Sequence, residues 1–282
     1  MKNKLHRFIS STVSYHDFKE AVNIASELGC GLEISRFGKL SEIEDNFEKN
    51  KQEYKAILND FDNEITLHGF FSNLNVAAKD PLISGISQKR YYQSLELAEY
   101  FDVSTVIFHT CFNNLLKQKK YQEMFFLKNI EFYNEFIKHF EELGIMATIE
   151  NVHESNPDFI RNLVGAINSP NLGVTIDIGH CNLHSDMKPS LWIKEYGIML
   201  KHMHFHNNYK DEDSHSSLLK GDMDIKEILL TLKELQLYPQ ITFEIFDKED
   251  LYESVEYFNS LCEELNIEYC WGKNEWNYKL SN

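Results

Sequence analysis

Short apolar runs alternate with longer amphipathic segments along almost the whole chain. The runs are rich in Val, Ile, Phe and Thr, as buried strands are. Eight of them lie at residues 5–10, 31–35, 64–68, 104–109, 145–150, 173–177, 200–206 and 240–246. Apolar residues recur at helical spacing in segments 17–28, 91–100, 127–143, 157–167, 188–196, 225–235 and 251–265. This alternation is typical of βα units around a parallel sheet.

Eight such units favour one closed barrel over two open sheets. A (β/α)8 TIM barrel usually takes about 250 residues, and the chain has 282 without a Pro- or Gly-rich linker. We therefore predict an α/β protein with a single barrel domain over about residues 5–265. The tail, residues 266–282, contains Trp271, Trp276 and Tyr278. This aromatic content predicts a tail that packs on the barrel.

The charge balance narrows the classes of function. There are 28 Lys and Arg against 44 Asp and Glu, a net charge of −16. Proteins held on nucleic acid by phosphate contacts need a basic surface, so the acidity disfavours a nucleic-acid partner. No apolar run approaches the roughly 18–20 residues that cross a bilayer, and the first residues lack the apolar stretch of a signal peptide. The five cysteines are scattered, which disfavours a disulfide framework. We expect a cytoplasmic protein.

Metal-binding side chains end six consecutive predicted strands. In a (β/α)8 barrel the carboxyl ends of the strands meet on one face, where active sites lie. One such residue alone is more often an ordinary polar group, but six in register predict a metal site. The residues are His68, His109, Glu150, Asp177, one of the histidines in 202–206, and Glu244.

Two of these strand ends have polar companions. Gly179 permits a tight turn after Asp177, so that His180 returns toward the same face. Asn151 directly follows Glu150 and is expected to hydrogen-bond groups around the metal.

The seventh run carries three histidines at alternate positions. Period two places His202, His204 and His206 on one face of a strand. Three alternate residues cannot all bind one ion, so at least one is expected to contact substrate or support a ligand. Downstream, Asp213 and His215 are close enough in sequence to chelate an ion, although a solvated acidic loop explains them equally well.

His, Glu and Asp ligands without cysteine suit Zn²⁺, Mn²⁺, Mg²⁺ or Co²⁺. The number of candidate ligands allows one to three ions. Such ions can stabilise an enediolate or generate a hydroxide, and these ligand types do not decide between the two.

These motifs together resemble the xylose isomerase-like, or family 2 AP endonuclease-like, barrel superfamily. It contains sugar and sugar-phosphate isomerases and epimerases together with endonuclease IV. The resemblance runs from about residue 8 to residue 265. The motifs that carry it are LHGF at 67–70, VIFH at 106–109, TIEN at 148–151, SPNLGVTIDIGH at 169–180, HMHFHNN at 202–208, DSH at 213–215 and ITFE at 241–244.

The resemblance to the epimerases implies one ion held by four residues, Glu150, Asp177, His204 and Glu244. His204 is chosen by its spacing to Asn207, with His202 and His206 in reserve. In this mechanism one glutamate removes the proton next to a sugar carbonyl and the other returns it. The resemblance also implies that His180 contacts a substrate hydroxyl, and that Asn207 and the two other histidines lie around the site.

Endonuclease IV implies an alternative, hydrolysis of a phosphodiester at an abasic site. Arg36 and Phe71 match in part the side chains that endonuclease IV inserts into DNA, but the net acidity opposes DNA binding. The residues that match its three-zinc cluster are His68, His109, Glu150, Asp177, His180, His204, Asp213, His215 and Glu244.

The leading hypothesis is a divalent-metal-dependent isomerase or epimerase of a sugar, polyol or sugar phosphate, with a small carbohydrate as its partner. A barrel that binds a metal or a sugar without turnover is the third reading. No phosphate-binding motif is legible, and the sequence leaves the oligomeric state open.

Overall fold

The computed structural model describes residues 4–14, 17–38, 42, 46–112 and 117–270. Eight parallel strands close into a barrel in chain order, each paired with the next and the last with the first. This confirms the predicted single (β/α)8 TIM barrel. The strands are β1 (His6–Ser10), β2 (Gly31–Ile34), β3 (Ile65–His68), β4 (Thr105–His109), β5 (Met146–Glu150), β6 (Leu172–Asp177), β7 (Leu200–Phe205) and β8 (Gln240–Phe243).

The strand register brings the candidate site residues side by side. His109 pairs with Glu150 across β4 and β5, and Asp177 pairs with His204 across β6 and β7. The last two strands are shorter than predicted, because β7 ends at Phe205 and β8 at Phe243. His206 and Glu244 therefore begin the loops that follow these strands.

Helices surround the barrel. Most match the predicted segments within a few residues, but α3 and α4 begin earlier than expected, and α2 and α6 were not predicted. They are α1 (Phe18–Glu27), α2 (Phe47–Ile57), α3 (Pro81–Phe101), α4 (Lys119–Leu143), α5 (Asp158–Ile167), α6 (Ile178–His184), α7 (Pro189–Tyr196), α8 (Ile225–Glu234) and α9 (Lys248–Leu265).

The interior of the barrel is unusually polar. Along the strands, buried polar residues alternate with buried apolar ones that pack under the helices. Inside, Thr175 donates from Oγ1 to Oγ1 of Thr148 at 2.7 Å, and Thr242 donates from Oγ1 to Oε2 of Glu33 at 2.8 Å. Because the polar residues face inward, the catalytic end of the barrel rests on hydrogen-bonded groups.

The amino-terminal mouth of the barrel contains a cavity of about 910 Å³, lined by residues including Glu64, Lys201 and Gln240. Residues 268–270 run beside the start of β1, where Cys270 donates its backbone N–H to the Leu5 carbonyl at 2.9 Å. The predicted packing of the tail beyond this point, with Trp271, Trp276 and Tyr278, concerns residues outside those described. Among the described helices, none is both long and apolar enough to cross a membrane.

Candidate metal centre

Glu150, the last residue of β5, lies at the centre of the strand-end cluster. Its side chain is buried. Oε1 lies 3.0 Å from Nδ1 of His204, and Oε2 lies 3.2 Å from Nε2 of His109 and 3.3 Å from Nε2 of His68. Three imidazoles from three strands thus converge on one carboxylate.

His204 faces three carboxylates through a single nitrogen. Besides Glu150, its Nδ1 lies 3.1 Å from Oε2 of Glu244 and 3.7 Å from Oδ2 of Asp177. In a tetrahedral site with bonds of about 2.0–2.1 Å, ligand atoms lie about 3.4 Å apart. One atom from each of these four residues lies within 4.8 Å of the others. The predicted four-residue set therefore has the donor types and spacing that a divalent ion requires.

The charges in this set favour the form that binds cations. Burial alone would raise the pKa of Glu150, but His204 and His109 hold it well below its usual value. Burial would lower the pKa of His204, yet Glu150 and two further buried glutamates raise it well above its usual value. The carboxylates are therefore ionised at neutral pH, and in the absence of metal the imidazolium is the cation that balances them.

Asp213 organises a second group on the loop after β7. Its Oδ2 lies 3.2 Å from Nε2 of His180 and 3.2 Å from Nε2 of His215. The Nδ1 atoms of these two rings face backbone carbonyls, Asn151 O at 3.0 Å and Glu244 O at 2.8 Å. If Nδ1 of each ring donates to its carbonyl, Nε2 is left to bind an ion. The burial of His215 opposes a higher pKa, but Asp213 and Glu244 raise it to about 9.

His206 lies between the two groups. Its Nε2 is 3.1 Å from both carboxylate oxygens of Asp177, and its ring stacks on that of His215 with centroids 4.0 Å apart. One of its ring nitrogens can also join the group formed by His180, Asp213 and His215. Against burial, the charges of His180 and His206 lower the pKa of Asp177 to about 2.

The remaining predicted residues differ in how close they lie to the ions' positions. Asn151 fixes Asp177, since it accepts from the Asp177 N–H and donates to the Asp177 carbonyl, both at 3.0 Å. Asn207 instead donates to the Leu218 carbonyl at 3.0 Å and holds the loop after β7. His202 lies one layer deeper in the barrel, with Nε2 3.0 Å from Oγ1 of Thr242.

Sequence reasoning missed Glu33 on β2. This carboxylate is fully buried, and it lies 3.2 Å from Nε2 of His204 and 3.3 Å from Nε2 of His202. The signal available in the sequence was a single acid inside the otherwise apolar strand Gly31–Ile34.

Two loop residues bear on the alternative function. Arg36 is buried, and its guanidinium donates to the Ser14 carbonyl. Phe71 packs against the rings of His68 and His109, with centroids 4.9 Å and 5.0 Å away. Both side chains have packing roles within the protein.

Comparison with known proteins identifies the family. The family model for the xylose isomerase-like TIM barrel matches residues 22–261. The chain belongs to this family, as the sequence motifs predicted. The uncharacterized protein MJ1311 of Methanocaldococcus jannaschii is 26% identical over 227 residues, which are 77% of this chain and 76% of that protein.

Solved structures with the same fold include sugar epimerases. A D-tagatose 3-epimerase-like protein matches with a TM-score of 0.78 and 23% identity, over 93% of this chain and 98% of that one. The TTHB071 protein of Thermus thermophilus, soaked with ZnCl₂, gives 0.74 and 20%, over 93% and 98%. D-Psicose 3-epimerase of Clostridium cellulolyticum H10, solved with D-tagatose, gives 0.72 and 16%, over 94% and 100%.

Proposed function

We propose that this protein is a divalent-metal-dependent isomerase or epimerase of a small carbohydrate. The observation that carries the proposal is the placement of Glu150 and Glu244 on either side of His204 Nδ1, at 3.0 Å and 3.1 Å. Two carboxylates that share one ion position can act on a single bound substrate from different directions. The family and the names of its structural neighbours support the same class of reaction.

The residues of the chain divide the work in this reaction. Glu150, Asp177, His204 and Glu244 would hold the ion. A bound divalent ion supplies positive charge that stabilises the carbonyl oxygen of the substrate as negative charge develops there. One of the two glutamates takes the proton from the adjacent carbon, and the acid form of the other gives a proton to that carbon or its neighbour. His180 is placed to donate to a substrate hydroxyl.

Exposure indicates the side from which substrate enters. The side chain of Asp213 is 39% exposed and that of Glu244 12%, whereas those of His204 and Asp177 are fully buried. Substrate therefore approaches over the loop after β7 and meets Glu244 before the deeper ligands. The names of two neighbours point to ketohexoses such as D-tagatose and D-psicose as the first substrates to test.

The test is conversion of a panel of ketohexoses, aldoses, inososes and their phosphates by protein loaded with Mn²⁺, Co²⁺, Mg²⁺ or Zn²⁺. We expect a new sugar from at least one member, lost with chelator and reduced at least about 10³-fold in Glu150→Gln and Glu244→Gln. Glu64→Gln is the matched control, because it removes a buried carboxyl at the opposite mouth of the barrel. Absence of any product across the panel would count against the proposal.

A second candidate, an endonuclease IV-like hydrolase, is favoured by one observation. The residues that match its three-zinc cluster all lie in the two connected groups around Glu150 and Asp213. Chelator-sensitive nicking of a duplex with an abasic site would establish this activity. The net charge of −16 and the internal contact of Arg36 argue for the isomerase.

A further inference from the structure

We infer that Glu33 is a positioning residue that holds His204 with Nδ1 directed at the metal. The inference rests on the proposed metal site and extends it to a strand that contributes no ligand. Glu33 is fully buried in the middle of β2. It lies below the cluster of ligands, so it would act on the reaction through His204.

The two nitrogens of His204 face carboxylates on opposite sides of the ring. Nδ1 faces Glu150 and Glu244, while Nε2 lies 3.2 Å from Oε1 and 3.3 Å from Oε2 of Glu33. A metal needs the lone pair of one ring nitrogen, which leaves the proton on the other. Glu33 is the acceptor for that proton, so it selects the form of the ring in which Nδ1 binds the ion.

Glu33 is itself held in place from below. Thr242 donates from Oγ1 to its Oε2 at 2.8 Å, and Nε2 of His202 lies 3.3 Å from the same oxygen. These contacts explain why His202 is buried beneath the site rather than facing substrate. A buried carboxylate costs several kcal/mol unless it is paired, and His204 and His202 provide that pairing here.

The expected consequence is a change in metal affinity. A carboxylate on the far nitrogen orients a metal-bound imidazole and makes it a stronger ligand, and loss of such a partner typically costs 10–100-fold in affinity or activity. We therefore expect Glu33→Gln to bind metal about 10–100-fold more weakly than the wild type. At saturating metal, its kcat should fall less than the affinity does.

The experiment follows the ring ¹⁵N signals of His204 during a Zn²⁺ titration, which separates this site from the group around Asp213. Wild type, Glu33→Gln, Glu33→Asp and the control Glu64→Gln are compared. Glu33→Asp, which keeps the charge, should recover part of the affinity, and Glu64→Gln should match the wild type within about twofold. Glu33→Gln with wild-type affinity would overturn the inference.

A measurement on the wild type alone covers the case in which Glu33→Gln does not fold. In the zinc-loaded protein, the His204 signals should show zinc on Nδ1 and a slowly exchanging proton on Nε2. Zinc on Nε2, or a rapidly exchanging Nε2 proton, would overturn the inference. A wild type whose His204 signals do not respond to any metal would overturn the proposed metal site, and this inference with it.

Discussion

Nδ1 of His204 lies 3.0 Å from Oε1 of Glu150, where a proton and a metal ion compete for the same nitrogen. In the metal-free protein, burial lowers the pKa of His204, but Glu150, Glu33 and Glu244 together raise it well above its usual value. At pH 7 the ring therefore carries a proton that an incoming ion must displace.

Metal binding is accordingly predicted to release protons. We expect about one proton per ion at this site and an apparent affinity that rises by up to about tenfold per pH unit. Calorimetric titration at pH 6, 7 and 8, in buffers that differ in ionisation enthalpy, measures both quantities. Affinity that stays constant over this range would show that His204 is already neutral.

Bound metal is also predicted to stabilise the fold. The ion would neutralise carboxylates that are buried close together, and binding to the folded state alone stabilises it by about 2.7 kcal/mol at a metal concentration 100 times Kd. Urea unfolding with and without chelator measures this difference. Asp177→Asn should lose most of the gain, and an equal gain in Asp177→Asn would mean that the ion binds elsewhere.

Gly179 is predicted to tolerate no side chain. A Cβ atom there would lie 2.0 Å from Cε1 of His206, so Gly179→Ala must push the ring away from Asp177. We expect a loss of about 1–3 kcal/mol in the free energy of unfolding.

Gly85→Ala is the matched control for this substitution. Gly85 lies on the exposed side of α3, and a Cβ atom there meets nothing within 4 Å. Alanine should therefore stabilise the helix, by about 0.4–1 kcal/mol. Denaturant unfolding checks both variants, and a Gly179→Ala protein as stable as the wild type would show that His206 is not held in this position.

Glu64 is predicted to make stability depend on pH. Burial raises its pKa to about 8, although Ser104 and Gln240 partly oppose the shift, against 4.5 for an ordinary glutamate. The folded state therefore binds the proton more tightly than the unfolded state, and this contribution to stability is lost as pH rises from 4.5 to 8. Glu64→Gln should gain stability relative to the wild type over that range. Urea unfolding at pH 5, 7 and 8.5 measures the difference, which would stay constant if Glu64 were solvated.

The strands were predictable because their apolar runs are short and regularly spaced, whereas two helices were not. In α2, only Lys51 and Tyr54 are buried, so the segment has almost no apolar face to reveal it. In α6, the helix begins directly after Asp177, which caps it by accepting the His180 N–H at 2.7 Å. The sequence shows this segment as a ligand-bearing turn, with too few residues for a helical period.

Depth within the barrel explains what the sequence left open among the three histidines. Period two places His202, His204 and His206 on one face, but successive members lie roughly 6.5 Å apart along the strand. Only His204 is level with Glu150, while His202 lies below it and His206 beside Asp177. Glu33 was missed for the related reason that all four residues of its strand are buried, so no alternation marks it as facing inward.

The most direct test of the proposed function is the transfer of a proton between substrate and solvent. Metal-loaded protein is incubated in D₂O with D-tagatose and D-psicose, and proton NMR follows the hydrogens on the carbons next to the carbonyl. The account predicts that one of these hydrogens is replaced by deuterium, at a rate that falls at least about 10³-fold in Glu244→Gln while metal binding persists. Exchange at the wild-type rate in Glu244→Gln, or epimerisation without any exchange, would contradict it.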